Sequence, residues 1–293
     1  MSQPRAHGVA PPLFQLPDAT RLGPVHLQVS DLPRSLDYYQ RVLGMHAEPI
    51  GDGSAALRAP GQSRPLLTLR SAPGITAARR SAFGLYHFAL LLPDRVALGG
   101  FAAHLAAENL RVGKADHLVS EALYLWDPDG LGIEVYADRP RAAWQYLDRE
   151  FVMTTDPLDL AKLIAESEGR VWDALPKETT MGHVHLQVGE LNKAEAFYHR
   201  ALGLDKTVWT YPGALFMSAG GYHHHLGTNV WSQGPTARPN EARLLAWELV
   251  VPSQDTVTSA AQSLRSAGHA CEDTVDGVRV ADPWGTQLLV RSE

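Results

Sequence analysis

The chain has 293 residues, enough for two domains of ordinary size, and its 45% hydrophobic and 20% charged content fit a soluble globular protein. A formal charge of −6 argues against nucleic acid or an anionic membrane as partner, and the longest apolar run, near Leu90, is stopped by Pro93 and Asp94. The single cysteine, Cys271, excludes an intrachain disulfide and suits a reducing cytoplasm, and the N-terminus has no apolar region of signal-peptide type.

Residues 1–20 are rich in Pro and polar groups and predict an extended arm. Gly23-Pro-Val-His-Leu-Gln-Val29 is a short β-type run. Asp31 suits the N-cap of a following helix over 32–43, with Pro33 in its first turn and Leu32, Leu36, Tyr39 and Leu43 as its apolar stripe. Strands near 54–58 and 65–70 complete a βαβββ-like module. A second module follows: strand 85–92, helix 96–109, and strands near 117–126 and 131–136.

The last two strands of that module form a hairpin around Asp127-Pro-Asp-Gly130, where Pro and Gly supply the fixed and the permissive φ of a tight turn. In the returning strand Gly132, Glu134 and Tyr136 share one face, and Ile133 and Val135 the other. An ionised carboxylate in so apolar a strand is costly unless it is paired or binds a metal. The competing reading is an edge strand with Glu134 in water.

The text then repeats. Val25-His-Leu-Gln-Val29 is identical to Val184-His-Leu-Gln-Val188, and Tyr39, Arg41, Leu43 and Gly44 return as Tyr198, Arg200, Leu202 and Gly203. Asp127-Pro-Asp-Gly130 returns as Asp282-Pro-Trp-Gly285. Matches at this many positions indicate an internal duplication. Modules three and four are expected over 183–231 and 244–291. The predicted organisation is an arm (1–20), a first two-module domain (21–140), a linker with a helix starting near Asp156 and Pro157 (141–180), and a second two-module domain (181–293).

The 13 histidines are the unusual feature of the composition. His26, His87 and His185 fall in the first strands of modules one, two and three. Neutral imidazole is a common ligand for divalent metals, although a lone strand histidine is more often a hydrogen-bonded core residue. Two histidines and one carboxylate with open positions suit non-haem Fe(II) that must bind oxygen; zinc or nickel would use similar ligands. His223-His-His225 follows a Gly-Gly pair, and strand alternation would set His224 opposite His223 and His225. His117 and Tyr124 lead into the hairpin. The fourth module lacks ligands, with Ala246 at the His87 position and Leu289 at the Glu134 position.

The four βαβββ modules, the DPDG-x-x-x-E hairpin and the strand histidines resemble the vicinal oxygen chelate superfamily, which includes glyoxalases, bleomycin resistance proteins and extradiol dioxygenases. More narrowly the chain resembles the two-domain catechol 2,3-dioxygenases, over nearly all of its length beyond the arm. The resemblance implies an α+β fold of two tandem glyoxalase-like domains. It implies an Fe(II) enzyme, with Mn(II) as the alternative ion, that joins O2 to a small aromatic diol and yields a muconic semialdehyde. Homo-oligomerisation is compatible with it.

Residue by residue, the resemblance sets His87 and Glu134 on the metal, Tyr124 at the active-site tyrosine, and His117 near one further histidine. The first metal histidine has two candidates, His26 and His185. The acid–base histidine has His224 or His225 in module three, where module one offers Arg64. If modules one and two close together, the acid–base histidine is missing. If module two closes with module three, every role is filled, and this exchanged pairing is the favoured expectation. A glyoxalase-like isomerase, with His225 as a further ligand, and a non-catalytic aromatic-binding protein are the rival readings.

Overall fold

The computed structural model describes residues 7–51 and 53–293. Its elements fall into the four expected βαβββ modules of an α+β fold. Module one runs through strand Arg21–Gln28, helix Leu32–Arg41 and strands His46–Gly51, Ser54–Arg58 and Leu67–Arg70. Module two has strand Gly84–Leu91, helix Arg95–Ala107 and strands Gly113–Asp116, Ser120–Trp126 and Gly132–Asp138. Module three has strand Thr180–Gln187, helical segments Leu191–Ala194 and Glu195–Ala201, and strands Asp205–Val208, Ala214–Ser218 and Leu226–Asn229. Module four has strand Arg243–Val251, helix Gln254–Ser266 and strands Cys271–Thr274, Gly277–Ala281 and Gln287–Ser292.

The capping chemistry behaves as read. Asp31 accepts from the Arg34 amide at 3.0 Å, which satisfies one of the open N–H groups of the first helical turn. Asp94 does the same for Ala97 at 2.7 Å. The single strand expected near 117–126 is broken, because Leu118 takes φ +66° and turns the chain between two strands. The linker helix starts later than expected, at Leu160–Ala165 with Asp159 as its cap. Asp156 is drawn away by a two-way backbone pairing with Asp116, both bonds 2.9 Å.

Two eight-stranded sheets form, and each draws one module from each half of the repeat. Modules two and three share one sheet, in which Gly84–Leu91 runs antiparallel to Thr180–Gln187 with His87 opposite His185. Modules one and four share the other, joined by Arg21–Gln28 and Arg243–Val251. The exchanged pairing is therefore the one the chain adopts. A continuous apolar core runs through both, including Leu27, Phe88, Phe101, Val184 and Trp247.

The repeated tyrosine and aspartate hold the two sheets together. Asp127 Oδ1 accepts from the amides of Asp129 (2.9 Å) and Leu131 (2.8 Å), which closes the turn. Its Oδ2 accepts from the Tyr39 hydroxyl of module one at 3.3 Å. Asp282 repeats the arrangement with Trp284 and Thr286 amides at 2.9 and 2.8 Å, and accepts from Tyr198 of module three at 2.8 Å. Each pair thus reaches from one sheet to the other. Burial pushes the Asp127 carboxyl up to about 6 and raises that of Asp282.

The described part of the arm is docked onto the body. Val9 pairs with Lys206, and the Leu16 amide donates to the Gly203 carbonyl at 2.9 Å with the Leu16 side chain buried. The arm so covers the edge strand Asp205–Val208, where open N–H and C=O groups would otherwise invite pairing with another chain. Residues 1–6 of the expected arm lie outside the described residues.

Candidate metal centre and pocket

Glu134 is buried in the strand Gly132–Asp138, as are Ile133, Val135 and Tyr136. The edge-strand reading with Glu134 in water is thereby excluded. Its Oε2 lies 3.0 Å from His87 Nε2 and 3.2 Å from His183 Nε2, and the two imidazole nitrogens are 3.3 Å apart. Burial by itself would raise the Glu134 carboxyl, but His183 and His87 outweigh it and hold it well below the usual carboxylate range. Burial pushes His183 down to about 4, so the ring is neutral and available as a ligand at ordinary pH.

These three donors fit a metal ion. With bonds of about 2.1 Å, two ligands at right angles sit about 3 Å apart, close to the three edges observed. Two imidazoles and one carboxylate are a donor set of the kind suited to non-haem Fe(II). Gly132 lets the strands approach this closely, since a Cβ there would lie 2.0 Å from the Tyr86 carbonyl oxygen.

The sequence-predicted residues are distributed as follows. His87 and Glu134 meet as expected, but the third donor of the cluster is His183, which the sequence reading did not single out. His185 sits two residues further along the same face. Its ring centroid is 5.0 Å from that of His87, and its buried Nε2 has no hydrogen-bond partner. Gly227, its parallel-strand partner, leaves the room for that ring.

His26 is not in this pocket at all. In the other sheet its Nδ1 is 2.6 Å from Thr68 Oγ1 and its Nε2 is 2.8 Å from Glu248, which Arg291 also binds at 2.5 Å. The repeat aligns His183 with Pro24, so the second sheet lacks that donor as well as those at Ala246 and Leu289. The signal for His183 lay in Gly182-His-Val-His185, where two histidines at i and i+2 share a strand face.

The triad lies in a pocket of about 410 Å³. His117 Nδ1–H donates to the Thr154 carbonyl at 2.5 Å, which leaves Nε2 to accept from the Tyr124 hydroxyl at 2.6 Å. Burial, together with the Glu134 charge, keeps the Tyr124 phenol well above its ordinary value and therefore protonated. His224 also lines the pocket, with its ring centroid 4.1 Å from that of His183 and its Nδ1 2.7 Å from His223 Nδ1. Burial holds His224 well below its usual range.

His225 lines a different cleft and its Nδ1 is 2.9 Å from Ser218 Oγ. His223, His224 and His225 lie ahead of the strand Leu226–Asn229, after Gly220 and Gly221 at positive φ, and His224 faces the metal pocket while His225 faces the other cleft. His223 is anchored instead by Asp138 at 2.8 Å. Tyr86, Trp126 and Trp231 are 42%, 45% and 49% exposed, and all three line this same pocket.

Among the described residues no helix is long and apolar enough to cross a membrane. The profile of the Glyoxalase/Bleomycin resistance protein/Dioxygenase superfamily matches residues 21–135 and 180–288. A Bacillus subtilis (strain 168) protein named catechol-2,3-dioxygenase is 44% identical over 271 residues, covering 90% of this chain and 94% of its own. A solved structure of a provisionally named dioxygenase from Bacillus subtilis subsp. subtilis str. 168 superposes with TM-score 0.63 at 12% identity, covering 95% of this chain and 86% of that one. Glyoxalase I from Zea mays gives TM-score 0.55 at 16% identity, covering 94% and 92%. At such identities the solved structures speak to the fold alone. The profile match to both halves and the 44% identity give the conclusion that this chain belongs to the glyoxalase/bleomycin resistance protein/dioxygenase superfamily.

Proposed function

We propose that the chain is an extradiol dioxygenase of the catechol 2,3 type, which uses Fe(II), or Mn(II) as the alternative ion, to open a catechol-type ring. The observation that carries this reading is the cluster of His87, Glu134 and His183 in one pocket with the His117–Tyr124 pair and His224. The 44% identical relative supports the same reaction class. Both atoms of O2 would enter the product, a muconic semialdehyde.

His87, Glu134 and His183 would hold the ion. When bound, it would supply the one-electron and oxygen chemistry that no side chain here offers. The protein's own contribution is proton handling, orientation and a dry wall. His224 lines the pocket beside His183 and would take a proton from a diol hydroxyl; such groups are typically worth about 10²–10⁴ in rate. His223, fixed by Asp138, holds the Nδ1 side of that ring.

Tyr124 stays protonated, and by turning its hydroxyl from His117 Nε2 it would donate to oxygen charge as it develops. His117 has its tautomer set by the Thr154 carbonyl. His185 presents an unpartnered nitrogen in the same pocket, and a substrate hydroxyl would satisfy it. Phe216, Trp231 and Tyr86 limit water and form an apolar wall larger than a single ring needs, which favours catechols with an apolar substituent. A cytoplasmic location belongs to the same proposal and rests on the single cysteine.

The test is anaerobic purification with metal analysis, then addition of catechol, 3-methylcatechol or 4-phenylcatechol while oxygen uptake and absorbance are followed together. One metal per chain, stoichiometric oxygen uptake and a yellow ring-opened product are expected. Bound metal with no oxygen uptake on any of these diols would overturn the dioxygenase reading.

A further inference from the structure

A second cavity lies apart from the pocket of the metal cluster. It is an open cleft of about 750 Å³ where the two sheets meet. Its walls come from the arm at Asp18 and Thr20, the starts of the central strands Arg21–Gln28 and Thr180–Gln187, the loop 61–66, and the turn at Gly220 and Tyr222. The strand Thr180–Gln187 separates the two sites, with Met181 and Gly182 in this cleft and His183 and His185 in the metal pocket.

The lining is strongly biased in charge. Arg21, Arg64, Arg141, Lys177 and Arg291 face it against one carboxylate, Asp18, in a chain whose net charge is −6. Part of that charge is neutralised from the side. Glu293 pairs with Arg21 at 2.9 Å and stands 4.0 Å from Arg64, and Glu248 pairs with Arg291 at 2.5 Å. Among the described residues Arg141 and Lys177 have no carboxylate partner.

These two cations are nevertheless held in place. The Arg141 guanidinium lies over the rings of Trp144 and Tyr222, 5.4 and 5.8 Å from their centroids, which leaves its N–H edge free to bind. Gln62 donates to the carbonyls of Lys177 (2.6 Å) and Thr179 (2.8 Å), which ties the Lys177 segment to the loop carrying Arg64. The buried hydroxyls of Thr20 and Thr179, both cleft-lining residues, lack hydrogen-bond partners. Like charges gathered in a concave site with low-dielectric walls focus the field and raise the local concentration of counter-ions.

We propose that this cleft is a binding site for a small dianion, bearing carboxylate, sulfate or phosphate groups, with Arg141 and Lys177 as its principal contacts. The site is separate from the metal pocket and does not depend on the dioxygenase reading. Isothermal titration of the full chain with sulfate and with terephthalate, at fixed ionic strength set by NaCl, tests it. Neither ion chelates metal well, and the pair distinguishes a tetrahedral oxyanion from a dicarboxylate.

The variant is Arg141→Glu with Lys177→Glu, both exposed positions. The control is Arg111→Glu with Arg170→Glu, which carries the same net charge away from the cleft. One-to-one binding of at least one probe, weakened at least tenfold in the cleft variant and within twofold in the control, is expected. No saturable binding of either probe, or equal weakening in variant and control, overturns the proposal. Sedimentation showing dimers that the cleft variant dissociates would also overturn it, because the cleft would then hold a second copy of the chain.

Discussion

Gly132→Ala is the most informative single perturbation, because it adds one methyl at the seam between the strands bearing His87 and Glu134. The new Cβ would stand 2.0 Å from the Tyr86 carbonyl oxygen and 3.1 Å from His87 Cβ. An unstrained carbon–oxygen approach is about 3.3–3.6 Å, so the strands must part by more than about 1 Å. Overpacking of this kind costs about 1–3 kcal/mol. At about 2–4 °C of melting temperature per kcal/mol for a chain of this size, the variant should melt about 2–12 °C lower.

The functional effect should be larger than the thermal one. His87 and Glu134 stand 3.0 Å apart across this seam, so parting the strands spoils the metal set directly. Fe(II) affinity should fall at least about tenfold, equivalent to about 1.4 kcal/mol. Scanning calorimetry and anaerobic titration of the apo-protein with Fe(II) measure the two effects. A variant with unchanged melting temperature and unchanged iron affinity would refute the argument that Gly132 sets the metal geometry.

Other outcomes follow from the same geometry. Glu134→Ala should leave a folded protein that retains no metal and no activity; normal iron content would remove Glu134 from the site. His183→Ala should lose iron, whereas His185→Ala should keep it within about tenfold and raise KM, and His26→Ala should keep both iron and activity; iron loss in His185→Ala alone would reverse the assignment. Asp127 has a folded value of about 6 against an ordinary 3.8, so its contribution to stability is full below 3.8 and is lost as pH rises through 6. Asp127→Asn should therefore gain stability over the wild type at pH 7.5 relative to pH 5, by about 1.4 kcal/mol, because pH 5 already lies inside the window from 3.8 to 6; denaturant titrations that show no pH-dependent difference would contradict this.

The elements written locally in the chain were legible. Asp31, the Pro and Gly of both turns, and the alternation around Glu134 each act within a few residues, and each takes its expected place. The modules were legible because their text repeats. His183 was hidden by the same repetition: identity between Val25-His-Leu-Gln-Val29 and Val184-His-Leu-Gln-Val188 drew attention to His26 and His185, whereas the donor sits where the repeat diverges, His183 against Pro24. Shared text marks what both sheets need, and chemistry in one sheet alone need not be shared. The partner of His26, Glu248, lies 222 positions away, and the docking of Val9 on Lys206 is likewise long-range; neither leaves a periodicity to read. Leu118 at positive φ, which breaks the expected strand at 117, carries no residue-type signal, since Leu rarely adopts that conformation.

The exchanged pairing also nests one sheet inside the other along the chain. The metal-bearing sheet is written without interruption from Gly84 to Asn229, and the other is assembled from what flanks it on both sides. The start of the first strand of module one and the end of the last strand of module four are consequently neighbours, joined by the ion pair of Arg21 with Glu293. Connecting those ends and opening the chain in the segment between Asp138 and Thr180 would place modules three, four, one and two in that order. Such a permutant would keep both sheets but reverse the nesting: the metal sheet would be built from the ends of the chain, and its closure would become the long-range event.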